Sequence, residues 1–266
     1  MKTPNPKTNK TKRPLILISN DDGVHATGIK TLTEIAQKYG DVVVVAPSSG
    51  QSGKSHAITF ANPLRIWQLH QDEHLQIYKT SGTPSDSVKM ARHLVLKNKK
   101  IDLLLSGINH GSNTSASTLY SGTVGAALEG CLNQIPSIAF SIVNYKPTYD
   151  FQGAAMVADK VIAVALNNGL PQKTCLNINI PNVPAEELKG YKITRQANNY
   201  WVEYLEERQS PNGQPYYWLD GELKEIDKGR DTDIWAIKHN YVSITPIYTD
   251  MTAYHALDEL KKWKIK

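Results

Sequence analysis

Cysteine is nearly absent from this chain. Its 266 residues hold Cys131 and Cys175 and no others. Two are too few for a disulfide framework, so both read as buried thiols of a reducing compartment. An apolar run of about 18 residues is also missing, which argues against a membrane-spanning helix. The first 14 residues contain no acid and no apolar stretch of the kind a secretory leader needs. They carry Lys2, Lys7, Lys10, Lys12 and Arg13, which together equal the whole formal charge of +5. The remaining body is near neutral, so no nucleic-acid partner is expected. With Pro4, Asn5 and Pro6, residues 1–13 read as a disordered basic tail. No internal repeat is present. A cytoplasmic location follows by elimination.

What is present is organised around Leu15-Ile16-Leu17-Ile18-Ser19-Asn20-Asp21-Asp22-Gly23. Four aliphatic residues without alternation suit a strand buried on both faces of a parallel sheet. In doubly wound α/β folds such strands deliver their C-terminal loops to a ligand crevice. Here the loop brings two adjacent carboxylates, and Gly23 permits the backbone angles needed to turn both toward one site. Paired acids suit a hard divalent cation. They equally suit an Asx turn capping the next helix.

Further along, Gly28–Tyr39 has helical spacing and Val42–Ala46 reads as a second buried strand. Residues 57–79 alternate in short segments and read as a small antiparallel excursion beside the main sheet. A turn at Thr80–Asp86 precedes a helix at about Ser87–Leu96. Ile101–Leu105 is the third buried strand, followed by an exit loop Ser106–Asn113. Ser121-Gly122-Thr123 opens a small-residue helix, a pattern that presents backbone N–H groups to an anion. Ser137–Ser141 and Leu176–Pro181 read as strands, with a helix at Phe151–Asn168 between them. Residues 190–235 are rich in Tyr and Trp and read as a β-rich hairpin or subunit contact. Tyr241–Ile247 is a last strand before a short basic terminal helix.

Three strand exits thus bear polar, glycine-containing loops: Asn20–Gly23, Ser48–His56 and Ser106–Asn113. A helper oxygen such as Ser52 or Asn109 could complete a metal site begun by Asp21 and Asp22. An anion-binding helix start beside that cation is the pairing phosphoryl chemistry needs. Gly53-Lys54-Ser55 resembles the end of a phosphate-binding loop, but Ser48 stands where its first glycine is required and the following residues look β-like. The order Asn20-Asp21-Asp22 lacks the D-x-D of haloacid-dehalogenase phosphatases, and no G-x-S-x-G elbow exists. His25 and His56 lie in candidate site loops; a lone loop histidine is more often a surface group. A nucleotide- or metal-binding regulatory module on the same scaffold is the non-enzymatic alternative.

Seven blocks in order resemble the SurE survival-protein family: Ser19–Ala26, Ala46-Pro47 with Gln51-Ser52-Gly53, Gly82–Val88, Ser106–Gly111, Tyr120–Gly130, Leu176–Pro181 and Tyr241–Pro246. Thr232-Asp233 fits as well, and the likeness covers roughly residues 14–250. The resemblance implies a metal-dependent phosphomonoesterase acting on nucleoside 5′-monophosphates, with 3′-nucleotides and short polyphosphate as further substrates. It implies one divalent cation, Mg²⁺ or Mn²⁺, held by Asp21, Asp22, Ser52 and Asn109. It implies that Ser121, Gly122 and Thr123 hold the substrate phosphate, with Asn20 and Gly107 lining the site. Asp21, Asp22 and Asn20 are the expected catalytic set. Departures from the family pattern fall at Thr27, Ser48 and Asn240. The expected architecture is α/β: a Rossmann-like three-layer core with a mainly parallel sheet over residues 14–185. A β-rich C-terminal extension with a terminal helix over 186–266 is expected to form a homodimer or homotetramer.

Overall fold

The computed structural model describes residues 13–143, 150–263 and 265. Of the basic tail expected over residues 1–13, residues 1–12 lie outside them, whereas Arg13 is tied to the body, its guanidinium donating to Asp41 Oδ1 at 3.1 Å and to the carbonyls of Gln37 and Gly40 at 2.8 Å each. Eleven strands follow in chain order: β1 (Leu15–Ser19), β2 (Asp41–Pro47), β3 (Ile66–Gln71), β4 (Leu75–Thr80), β5 (Leu103–His110), β6 (Ser137–Val143), β7 (Thr174–Pro181), β8 (Tyr191–Ile193), β9 (Tyr200–Gln209), β10 (Pro215–Lys224) and β11 (Val242–Tyr248). The α-helices are α1 (Thr27–Ala36), α2 (Pro84–Met90), α3 (Ser117–Tyr120), α4 (Gly122–Leu132), α5 (Phe151–Asn168), α6 (Asp233–Lys238) and α7 (Leu257–Leu260).

Nine strands form one sheet in the order β3-β4-β2-β1-β5-β6-β7-β11-β8. The six from β4 to β7 run parallel to their neighbours. The unalternating aliphatic runs are explained by cover on both faces. Ile16, Ile18, Val42 and Val44 pack with Ile29 and Leu32 of α1 and with Val157 and Ile162 of α5. Leu17, Val43 and Val45 face the other way, against Val88 of α2 and Ala126 of α4. Period-2 alternation therefore feeds two helical layers, as a three-layer α/β core requires. Both cysteines are free, buried and packed in one small cluster with Val124, Ala127 and Ala139.

Three details differ from the sequence expectation. β4 is parallel to β2 and extends the main sheet, with β3 antiparallel outside it, so residues 66–80 widen the sheet and are no separate excursion. β3 is the edge strand and mostly exposed, and β4 beside it is half-buried, which accounts for their lack of an unbroken aliphatic run. The strand beginning near Ile101 does not end at Leu105. It runs to His110 after an irregularity between Ser106 and Asn109, so five of the eight residues of the expected exit loop, 106–110, are strand. The helix expected from Ser87 starts at Pro84, where Thr83 forms a reciprocal capping box with Asp86.

The sheet also continues past residue 185. β11 pairs antiparallel with β7, and β8 pairs with β11. β9 and β10 form a two-stranded hairpin apart from this sheet, and every residue of β9 is exposed. Among the described residues, no helix is long and apolar enough to cross a membrane.

Candidate active site

The strand order reverses at β1, which sends the chain first to β2 and later to β5 on its other side. This switch point opens a crevice beyond the carboxyl ends of β1 and β5. Asn20, Asp21 and Asp22 leave β1 there, and Gly23 turns the chain with φ of +98°. These residues do not cap α1. The helix starts after Ala26, which makes no side-chain capping bond. The Asx-cap reading of the pair is thereby removed, and its alternative, two acids turned into a crevice, remains. Asn20 is fully buried and its amide nitrogen donates to Gly23 O at 2.9 Å.

Asp21 is buried against the start of α4. Its Oδ1 accepts the hydroxyl of Thr123. Burial pushes its carboxyl up to about 6; the Thr123 bond opposes this and the charge of Asp22 adds to it. The close approach depends on Gly122, where a Cβ would fall 2.8 Å from the Cβ of Asp21 and 3.1 Å from Pro84. Ser121 caps α4, its hydroxyl accepting from Val124 N at 3.1 Å. The Ser121–Thr123 turn thus abuts Asp21, with both hydroxyls engaged locally.

Asp22 is half-buried, and its Oδ2 accepts from both the main-chain N–H and the ring Nδ1 of His110, at 3.1 and 2.8 Å. Asn109 precedes it on β5 and donates its amide nitrogen to Gly111 O at 3.0 Å, so the amide oxygen is the atom it can offer to a cation. Gly107 packs tightly against β6, where a Cβ would lie 2.3 Å from Phe140 O. Ser52 is exposed on the exit loop of β2, one residue after Gln51, whose N–H donates to Asp21 O at 2.7 Å. The loop is tied at its far end by Ser55, which donates to Tyr120 O and Leu119 O at 3.0 and 2.6 Å. Residues 48–65 contain no helix, so Gly53-Lys54-Ser55 lacks the element a phosphate-binding P-loop needs.

The donor set suits a hard divalent cation. Asn20 Oδ1 is buried without a hydrogen-bond partner among the described residues, beside a carboxylate that burial disfavours as an anion. Among the described residues no group of three or more His, Cys, Asp and Glu is placed to hold a metal. A site here must be completed by amide and hydroxyl oxygens, which favours Mg²⁺ or Mn²⁺ over softer ions.

Sequence reasoning singled out neither His110 nor Glu129. Glu129 is buried on α4 and receives His56 Nε2 at 3.1 Å and Lys89 Nζ at 2.7 Å. His56 is thus a structural partner of α4, and His25 is exposed. A cavity of about 520 Å³ opens on the other side of α4, lined by Ser55, His56, Ser121, Gly125 and Arg195 among others; neither carboxylate reaches it.

Two acids and a helix N-terminus meet at the switch point of this doubly wound α/β sheet, an arrangement suited to cation-assisted phosphoryl transfer. The model of the family described as "Survival protein SurE" matches residues 16–203. The chain is 46% identical over 253 residues to the 5′-nucleotidase SurE of Cytophaga hutchinsonii, covering 95% of this chain and 98% of the relative. It is 47% identical to the 5′-nucleotidase SurE of Chlorobium chlorochromatii, covering 95% and 92%. The crystal structure of SurE protein from Aquifex aeolicus superposes with a TM-score of 0.80 at 40% identity, covering 93% of this chain and 98% of that one. This chain belongs to the SurE family.

Proposed function

We propose that this protein is a metal-dependent 5′-nucleotidase, hydrolysing nucleoside 5′-monophosphates to nucleoside and phosphate. The observation that carries this reading is Asp21, buried at the switch point and bonded to Thr123 at the start of α4. Asp21, Asp22, Ser52 and Asn109 would hold one divalent cation, Mg²⁺ or Mn²⁺, which would supply Lewis-acid polarisation of the phosphoryl oxygens and activation of a water. Asp21 orients the attacking water and takes its proton. The water oxygen forms the new P–O bond as the bond to the nucleoside oxygen breaks; the leaving oxygen takes a proton from solvent water, and Asp21 releases the proton it took back to solvent. Main-chain N–H groups at Gly122 and Thr123 face the phosphate, where the helix dipole favours negative charge. Asn20 braces the loop through Gly23.

The test is phosphate release from a panel of nucleoside 5′-monophosphates, with 3′-nucleotides and short polyphosphate as further arms. Release with Mn²⁺ or Mg²⁺ that EDTA abolishes is the expected result. Nucleotide binding without release, metal present, would favour the regulatory-module alternative.

We propose in addition that β9–β10 is the contact between copies in a homodimer or homotetramer. An isolated two-stranded hairpin is marginal in water. This one exposes Tyr204, Trp218 and Leu219 at 55%, 58% and 66%, an apolar display that association would cover. Light scattering is expected to give a dimer or tetramer, and a monomer once Trp201, Tyr204, Trp218 and Leu219 are changed to Ser. An assembly unaffected by these four changes would refute the assignment. The nucleotide substrates and the two free thiols accord with a cytoplasmic location.

A further inference from the structure

We infer that His110 is a positioning residue that holds the Asp22 carboxylate in its cation-binding orientation. The inference rests on the metal-dependent reading above. Two donors of one residue converge on one oxygen: Asp22 Oδ2 receives His110 N at 3.1 Å and His110 Nδ1 at 2.8 Å. A single bond would leave the carboxylate free to swing about its Cβ–Cγ bond. Two bonds from a fixed backbone point and a fixed ring define its plane and engage Oδ2, leaving Oδ1 as the oxygen that would face a cation.

The anchor for this arrangement is strand β5. His110 pairs with Ile142 of β6 after the irregularity that follows Ser106. The same strand end presents Asn109, so one short stretch supplies a candidate ligand and fixes another that lies 88 residues away in sequence. The ring also packs against Phe151 in a T-shaped pair, with centroids 5.3 Å apart at 85°. The bond to Asp22 assigns the ring N–H to Nδ1. Such outer partners matter most for ions with strict geometry, and Mg²⁺ demands near-ideal octahedral placement.

Three substitutions separate donation from packing. His110→Phe keeps a ring against Phe151 and removes the donor. His110→Ala removes both. His110→Asn places an amide N–H where Nδ1 stands and restores donation. The readout is Mn²⁺ binding to each chelator-stripped full-length chain without nucleotide, followed by electron paramagnetic resonance, with thermal unfolding as a check on folding. The expected result is roughly 10-fold weaker Mn²⁺ binding in Phe and Ala variants. The Asn variant is expected to lie within about threefold of wild type, at the weak end of outer-partner effects. A purely structural role would instead make Ala worse than Phe and leave Asn unrescued. Wild-type binding in the folded Phe variant would overturn the inference while leaving the nucleotidase reading intact. Absence of Mn²⁺ binding by the wild-type chain would overturn both.

Discussion

Asp21→Asn will lose turnover on nucleoside 5′-monophosphates by on the order of 10³-fold or more while gaining stability. The loss follows because the substitution removes a charged cation ligand and the proton acceptor together, and each 1.36 kcal/mol of barrier is about tenfold in rate. The gain follows from burial. The Asp21 carboxyl is pushed up to about 6 from an ordinary 3.8, so the folded chain holds a proton there that the unfolded chain releases between those values. A carboxyl raised in this way weakens the fold above pH 6, and the penalty disappears as pH falls below 4. At pH 7.5 in chelator the penalty amounts to about 3 kcal/mol, which the neutral amide avoids. The isosteric Asn keeps an oxygen for the Thr123 hydroxyl. Calorimetry in EDTA should therefore show a higher Tm for the variant at pH 7.5 and convergence with wild type near pH 4. A variant that hydrolyses substrate normally would refute the role given to Asp21. Equal Tm values at pH 7.5 would refute the account of its burial.

Gly28→Ala will destabilise the chain by about 3 kcal/mol or more, an overpacking penalty at the upper end because backbone must move. Gly28 lies in the first turn of α1, where intrinsic helix propensity alone would make alanine better by about 1 kcal/mol. Contact decides the sign. A Cβ at this position would sit 1.9 Å from Ile108 O and 2.9 Å from Ile108 C. No rotamer relieves a clash with backbone, so α1 or β5 must shift. The matched control is Gly153 in α5, where a Cβ would meet Val183 O at 3.4 Å and Leu188 Cδ1 at 3.7 Å. There the propensity gain should prevail and Gly153→Ala should be neutral or stabilising. For a chain of this size the Gly28 variant should melt about 10 °C lower. A Tm at or above wild type would show that the α1–β5 seam is looser than these distances require.

The parts of the fold that were legible in the sequence are those written in local pattern. Leu15–Ile18 and Val42–Val45 have no alternation because helices cover both faces of β1 and β2. Phe151–Asn168 was readable as a helix because its apolar spacing is continuous, with Asp150 capping it. The acidic pair stood out because it ends such a strand. What was hidden depends on distant partners. β4 looks antiparallel in isolation, since its parallel neighbour β2 is some thirty residues back. β5 appears to stop at Ser106-Gly107, residues typical of turns; that it resumes pairing at Asn109 with Ser141 is a property of β6. His110 carries no local mark at all. Its only signal was adjacency to Asn109, and its meaning comes from Asp22 across the crevice. Ser121-Gly122-Thr123 was legible as a helix start presenting backbone N–H groups to an anion; that one hydroxyl caps α4 and the other is donated to Asp21 was not.

β5 touches α1 through the carbonyl of Ile108 and reaches the crevice through the next two residues, Asn109 and His110. A cation bound beside that strand end at hundredfold excess over its dissociation constant would stabilise the folded chain against unfolding by about 2.7 kcal/mol. The melting temperature of this protein then doubles as a gauge of how much free divalent ion surrounds it.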